Sequence, residues 1–122
     1  MSNYTLLQGH CLEVLRTLPT ESVQTCITSP PYFGLRDYGC DGQIGLESTP
    51  DAFVSSLVDV FTEVHRVLKS DGTLWLNLGD SYAAKHTCQN NSLALKHKDL
   101  IGIPWRVAFA LQQYGWYLRQ DI

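Results

Sequence analysis

The sequence predicts an α/β fold on a largely parallel sheet. Two observations carry that expectation. Strand-like and helix-like segments alternate along the chain, and the run Thr73–Leu78 is apolar enough to be covered on both faces. At 122 residues and 13.7 kDa the chain has room for one small domain, burying roughly two-thirds of the surface of its unfolded state.

The elements follow in order. Tyr4–Gln8 is a short apolar run closed by Gly9 and reads as a strand. Cys11–Leu18 sets Leu12, Leu15 and Leu18 near one helical face, and Pro19 ends it. Val23–Thr28 is rich in β-branched residues and reads as a second strand, stopped where Pro30-Pro31 has no N–H to give a ladder. A loop with Gly34, Gly39, Gly42 and Gly45 follows. Thr49 is suited to cap a helix, with Pro50 in the first turn and Asp51 favourable to the dipole. The helix Asp51–Lys69 then carries Phe53, Leu57, Phe61, Val64 and Leu68 as one buried stripe. Ser70-Asp71-Gly72 reads as a turn before the strand Thr73–Leu78. Residues 81–98 are polar and aperiodic, a long mobile loop. Pro104 opens a helix to about Tyr114, closed by Gly115, and Trp116–Ile122 begins a last strand. Trp75, Trp105 and Trp116 read as core residues, Trp105 being the one candidate for nucleic-acid contact.

Composition removes several classes. No run approaches the about 18 apolar residues of a membrane span, and Met1-Ser2-Asn3-Tyr4 lacks the layout of a secretory signal. The expectation is a cytoplasmic chain with no membrane partner. Cys11, Cys26, Cys40 and Cys88 show no Cys-x-x-Cys pair, so neither a disulfide framework nor a metal site is expected. Net charge is −3, which argues against a general nucleic-acid coat protein. Residues 1–80 hold ten acids and four bases; residues 81–122 hold two acids and five bases. Contact with a phosphate backbone would favour the C-terminal third, although scattered lysines are also what a solvated face looks like.

The sharpest signal is Thr28-Ser29-Pro30-Pro31-Tyr32, at the carboxyl end of the second strand. That rim is where open α/β sheets bind ligands. Pro-Pro-Tyr can also be a strand terminator or a ligand for a binding module, but such ligands lie in exposed, disordered segments. Proline at 30 and 31 fixes φ and removes donors, so the corner presents carbonyls with little freedom. With Ser29 Oγ these are acceptors for the two N–H groups of a nucleobase amine, whose lone pair they would localise on nitrogen. Tyr32 offers a face on which an extruded base can stack.

The segment resembles the catalytic motif of DNA amino-methyltransferases, which methylate exocyclic amines of adenine or cytosine with S-adenosylmethionine. Phe33–Gly39, Gln43–Glu47, Asn77–Tyr82, Asp99–Arg106 and Gly115–Arg119 resemble further segments of that family, covering nearly the whole chain except Ala83–His97. The resemblance implies a partial, truncated Rossmann-like methyltransferase sheet, with residues 1–122 as the N-terminal part of a DNA methylase domain of the permuted β-type branch. It implies double-stranded DNA as partner, S-adenosylmethionine as cofactor, and Ser29, Pro30, Pro31 and Tyr32 as the catalytic set. Serine at the first motif position usually accompanies cytosine-N4 methylation; adenine-N6 methylation stays open. His10 and Asp80 are the cofactor-binding candidates, each with a plainer reading: His10 as a cap at a turn where the family commonly has aspartate, Asp80 as an Asx turn. Arg36 could hold a phosphate, or pair with Asp37 or Asp41.

No Gly-x-Gly occurs in the sequence, so the family's Phe-x-Gly-x-Gly loop for the methionine part of the cofactor is absent. The chain alone is therefore expected to be inactive, with a second polypeptide or oligomer completing the sheet at its open edges. A non-catalytic remnant or interaction module is the alternative from a different class.

Overall fold

The computed structural model describes residues 3–85 and 93–122. Among these residues the chain forms α1 (Cys11–Thr17), β1 (Val23–Thr28), α2 (Pro50–Val67), β2 (Leu68–Leu76) and α3 (Ile103–Gln113). β1 and β2 pair in parallel, with Cys26 opposite Leu74 and Thr28 opposite Leu76. A parallel pair needs a long crossover, and here that crossover contains α2.

α2 forms where the sequence predicts it. Thr49 Oγ1 accepts from Ala52 N at 3.1 Å, and Pro50 sits in the first turn, where no helical N–H is required of it. Its apolar stripe is the centre of the molecule: Phe53, Leu57, Phe61 and Val64 are buried against Phe33, Ile101, Ile103, Val107 and Leu111. Each such side chain contributes roughly 1.5–3 kcal/mol on burial. α1 is tied to α2 by Arg66, whose guanidinium donates to the carbonyls of Leu15 (2.9 Å) and Leu18 (3.0 Å), to Thr20 Oγ1 and to Glu63. The last carbonyls of a helix have no partner within it, and this fork supplies one.

Several expectations are corrected. Ser70-Asp71-Gly72 is not a turn between helix and strand but part of β2, looped out as a bulge between the Val23–Leu68 and Thr25–Thr73 pairs. Gly72 fits there because a Cβ would meet Lys69 O at 2.9 Å and Gln24 O at 3.0 Å. Tyr4–Gln8 and Trp116–Ile122 form no strand; among the described residues the sheet has two strands, so those segments have no ladder to join. The sheet is covered on one face only. Cys26, Leu74 and Leu76 pack on the core side, whereas Ile27 is 80 % exposed and Trp75 51 % exposed on the other. Trp75 and Trp105 are thus not core residues; Trp116 is half-buried, its ring edge-on to His65 at 5.0 Å. Of the expected loop at 81–98, residues 86–92 lie outside those described; on its flanks Tyr82 and Leu100 form an antiparallel bridge. Among the described residues no helix is long and apolar enough to cross a membrane.

Candidate active site

β1 delivers the diproline corner to the carboxyl rim of the sheet. The last contact before it is Thr28 O, which accepts from Asn77 N at 2.9 Å. Beyond that point Pro30 and Pro31 have no N–H, and the chain leaves the ladder. Ser29 is exposed, and its Oγ lies 3.3 Å from the Tyr32 hydroxyl. Among the described residues no backbone donor of the chain reaches the Ser29 or Pro30 carbonyl. Ser29 thus stands exposed beside the Tyr32 hydroxyl, while Pro30, Pro31 and Tyr32 are half-buried.

What fixes the corner is its surroundings. Phe33, the next residue, is buried and packs on Phe53 of α2 with ring centroids 5.6 Å apart. Gly34 N donates to Gly45 O at 2.8 Å, folding the following loop back on the corner. Gly45 has φ +109°, and a Cβ there would meet Tyr32 O at 3.0 Å and Pro31 Cβ at 3.2 Å; both conformation and space call for glycine. Within that loop Gln43 Nε2 donates to Arg36 O (2.7 Å) and its Oε1 accepts from Tyr38 N (2.8 Å). Arg36 forms no ion pair among the described residues, which corrects the expected pairing with Asp37 or Asp41.

Asp80 and His10 are placed as anchors. Asp80 Oδ1 accepts from Ser81 N, Gly102 N and Ile103 N at 2.8–3.0 Å, and Oδ2 from Gly102 N at 2.9 Å. Its carboxylate thus caps the start of α3, where backbone amides and the dipole favour an anion. Pro104 in the first turn and Gly102 at φ +80° shape the same entry. His10 caps α1: Nδ1 accepts from Leu12 N at 3.3 Å, and Nε2 lies 3.2 Å from Gly42 O. Both ring nitrogens are thus engaged within the chain. In the turn before α3, the Lys96 amide and ammonium hold the half-buried Asp99 carboxyl below its ordinary pKa. Gly45, Phe33 and Gly79, where a Cβ would meet the Tyr32 ring at 2.6 Å, are the neighbours of the corner that reading the motif alone misses. A glycine closing a strand was the available signal for Gly79, since it marks close backbone approach.

A family model for DNA methylases (N6/N4 methyltransferase type) matches residues 23–122. The chain belongs to the DNA methylase family. Among sequence relatives of this DNA methylase chain, the Type II methyltransferase M.Cfr9I of Citrobacter freundii is 51 % identical, over 100 % of this chain and 46 % of its own length. M.XycI of Xanthomonas campestris pv. cyanopsidis is 52 % identical, over 97 % and 45 % respectively. The structure of TTHA0409 from Thermus thermophilus, described as a DNA modification methylase and solved with S-adenosyl-L-methionine, superposes with a TM-score of 0.62 at 26 % identity. That match covers 88 % of this chain and 37 % of the other. The fold is thus a partial methyltransferase α/β fold. The chain spans about half the length of the curated relatives it matches.

The two cofactor candidates already make bonds within the chain. Both ring nitrogens of His10 are engaged, and four amide contacts already converge on the Asp80 carboxylate.

Proposed function

We propose that this chain is the catalytic-motif portion of a DNA methyltransferase that modifies the exocyclic N4 amine of cytosine, using S-adenosylmethionine held by other parts of the enzyme. The observation that carries the reading is the corner itself, where exposed Ser29 holds its Oγ 3.3 Å from the Tyr32 hydroxyl and, among the described residues, no backbone donor reaches the Ser29 or Pro30 carbonyl. An exocyclic amine is a poor nucleophile because its lone pair is delocalised into the base. Acceptors fixed around its two N–H groups favour a pyramidal nitrogen and localise that pair. The corner supplies them already oriented, so little reorganisation is needed when the reaction occurs. Tyr32 stacks the base once it has left the duplex. Pro30 and Pro31 fix the acceptors' directions; they transfer no proton. Double-stranded DNA is the substrate of this reading, and the bases after residue 81 suit its phosphates.

The one-sided sheet supports a further part of the proposal. The enzyme is completed by a segment, in the same or a second polypeptide, that covers Ile27 and Trp75 and pairs with the open strand edges. Cytosine is preferred to adenine because Ser29 occupies the first motif position, where serine usually goes with N4 chemistry in the family the motif resembles. The test joins this chain to the portion of M.Cfr9I that it does not span, incubates it with DNA and methyl donor, and digests the DNA to nucleosides. N4-methylcytosine is expected; N6-methyladenine overturns the cytosine assignment, and no methylated base overturns the proposed activity.

A further inference from the structure

Gly79 closes the segment after β2 and faces the corner across the rim. A Cβ built on it would lie 2.6 Å from Tyr32 Cε2, 2.8 Å from Cδ2 and 3.3 Å from Cζ, and these are its three nearest neighbours. Contacts that short do not survive; one partner must move. The backbone conformation does not explain the glycine, because Gly79 lies outside the left-handed region that Gly45 and Gly102 occupy. The ring alone excludes a side chain. The backbone at 79 is also poorly placed to yield: Asn77 N is bonded to Thr28 O, Leu78 packs on the core, and Asp80 is held by the amides at the start of α3.

We infer that Gly79 is a positioning residue for the proposed site: its bare backbone is the seat that lets the Tyr32 ring rest beside Ser29. Any side chain at 79 pushes the ring outward, because a tyrosine turns about χ1 more readily than an anchored backbone shifts. The 3.3 Å approach of the Tyr32 hydroxyl to Ser29 Oγ is then lost, and with it the angle between stacking face and acceptors. The inference rests on the proposed function only for the meaning of that geometry; the seat itself is a matter of packing.

The test uses the 122-residue chain with labelled tyrosine and serine. In the wild type, nuclear Overhauser contacts are expected from the Tyr32 ring protons to both Gly79 Hα and Ser29 Hβ. Gly79→Ala should lose the Ser29 contact while the spectra of Tyr4 and Tyr117 stay unchanged. A Gly79→Ala spectrum that keeps the Tyr32–Ser29 contact overturns the inference. Should Gly79→Ala unfold, the double variant Gly79→Ala/Tyr32→Ala decides: recovery of the fold supports the seat, and a chain that stays unfolded refutes it. Failure of methyl transfer by the joined enzyme would count against the proposed function and leave these readouts untouched.

Discussion

At the scale of single residues, accessibility and burial separate side chains of the same type. Cys11 and Cys40 are exposed thiols, whereas Cys26 points from β1 toward the core. Burial raises the Cys26 pKa, since a thiolate there would be stripped of water. The reactive species is the thiolate, so a raised pKa means less of it at any given pH. Alkylation with iodoacetamide near neutral pH should modify Cys26 about tenfold more slowly than Cys11 or Cys40, as read by peptide mass spectrometry. Labelling of Cys26 as fast as Cys11 would contradict its placement. The same distinction explains what was legible in the motif. Ser29 and Tyr32 announce themselves because Pro30-Pro31 must leave the sheet. The capping bonds of Asp80 and His10 do not, because they exist only once the amides of Gly102, Ile103 and Leu12 are placed in space.

At the scale of elements, residue pattern made β1, α2 and α3 readable: β1 has the expected bounds, and those of α2 and α3 differ from expectation by one or two residues. What it could not show were long-range ties. Arg66 reaches back to two carbonyls at the end of α1, about fifty positions earlier in sequence, and nothing in the local pattern of α2 distinguishes it from a solvated arginine. Removing it leaves those carbonyls without their charged donor. Arg66→Ala is expected to lower stability by about 1–2 kcal/mol, and Arg66→Lys to recover less than half, since a single ammonium cannot span the fork. Thermal unfolding of the three proteins checks this; full recovery by lysine would contradict the fork. The terminal segments failed for the converse reason. Tyr4–Gln8 and Trp116–Ile122 have strand-like composition, but a strand exists only through its neighbour, and no strand among the described residues stands beside them.

At the scale of the whole molecule, the apolar surface is divided unevenly. α2 is flanked by α1, α3 and β2, while the opposite sheet face carries Ile27 and Trp75 into the open. Alternation along β1 and β2 reads there as half-buried strands, although the composition of Thr73–Leu78 suits cover on both sides. Composition and structure agree once the sheet is viewed as part of a larger one, which also accords with relatives about twice the length of this chain. A groove lies elsewhere, between α2 and α3, lined by Asp51, Val58, Asp59, Arg106, Phe109 and Tyr114. The corner lies on the sheet rim, and the proposed chemistry there calls for directed acceptors rather than for enclosure by this chain. The most direct measurement is the single-turnover rate of methyl transfer to DNA by the joined enzyme, wild type against Ser29→Ala. Loss of one fixed polar group at the reacting centre predicts a rate about 100-fold lower at unchanged unfolding temperature. A Ser29→Ala rate within about twofold of wild type would contradict the claim that this corner activates the amine.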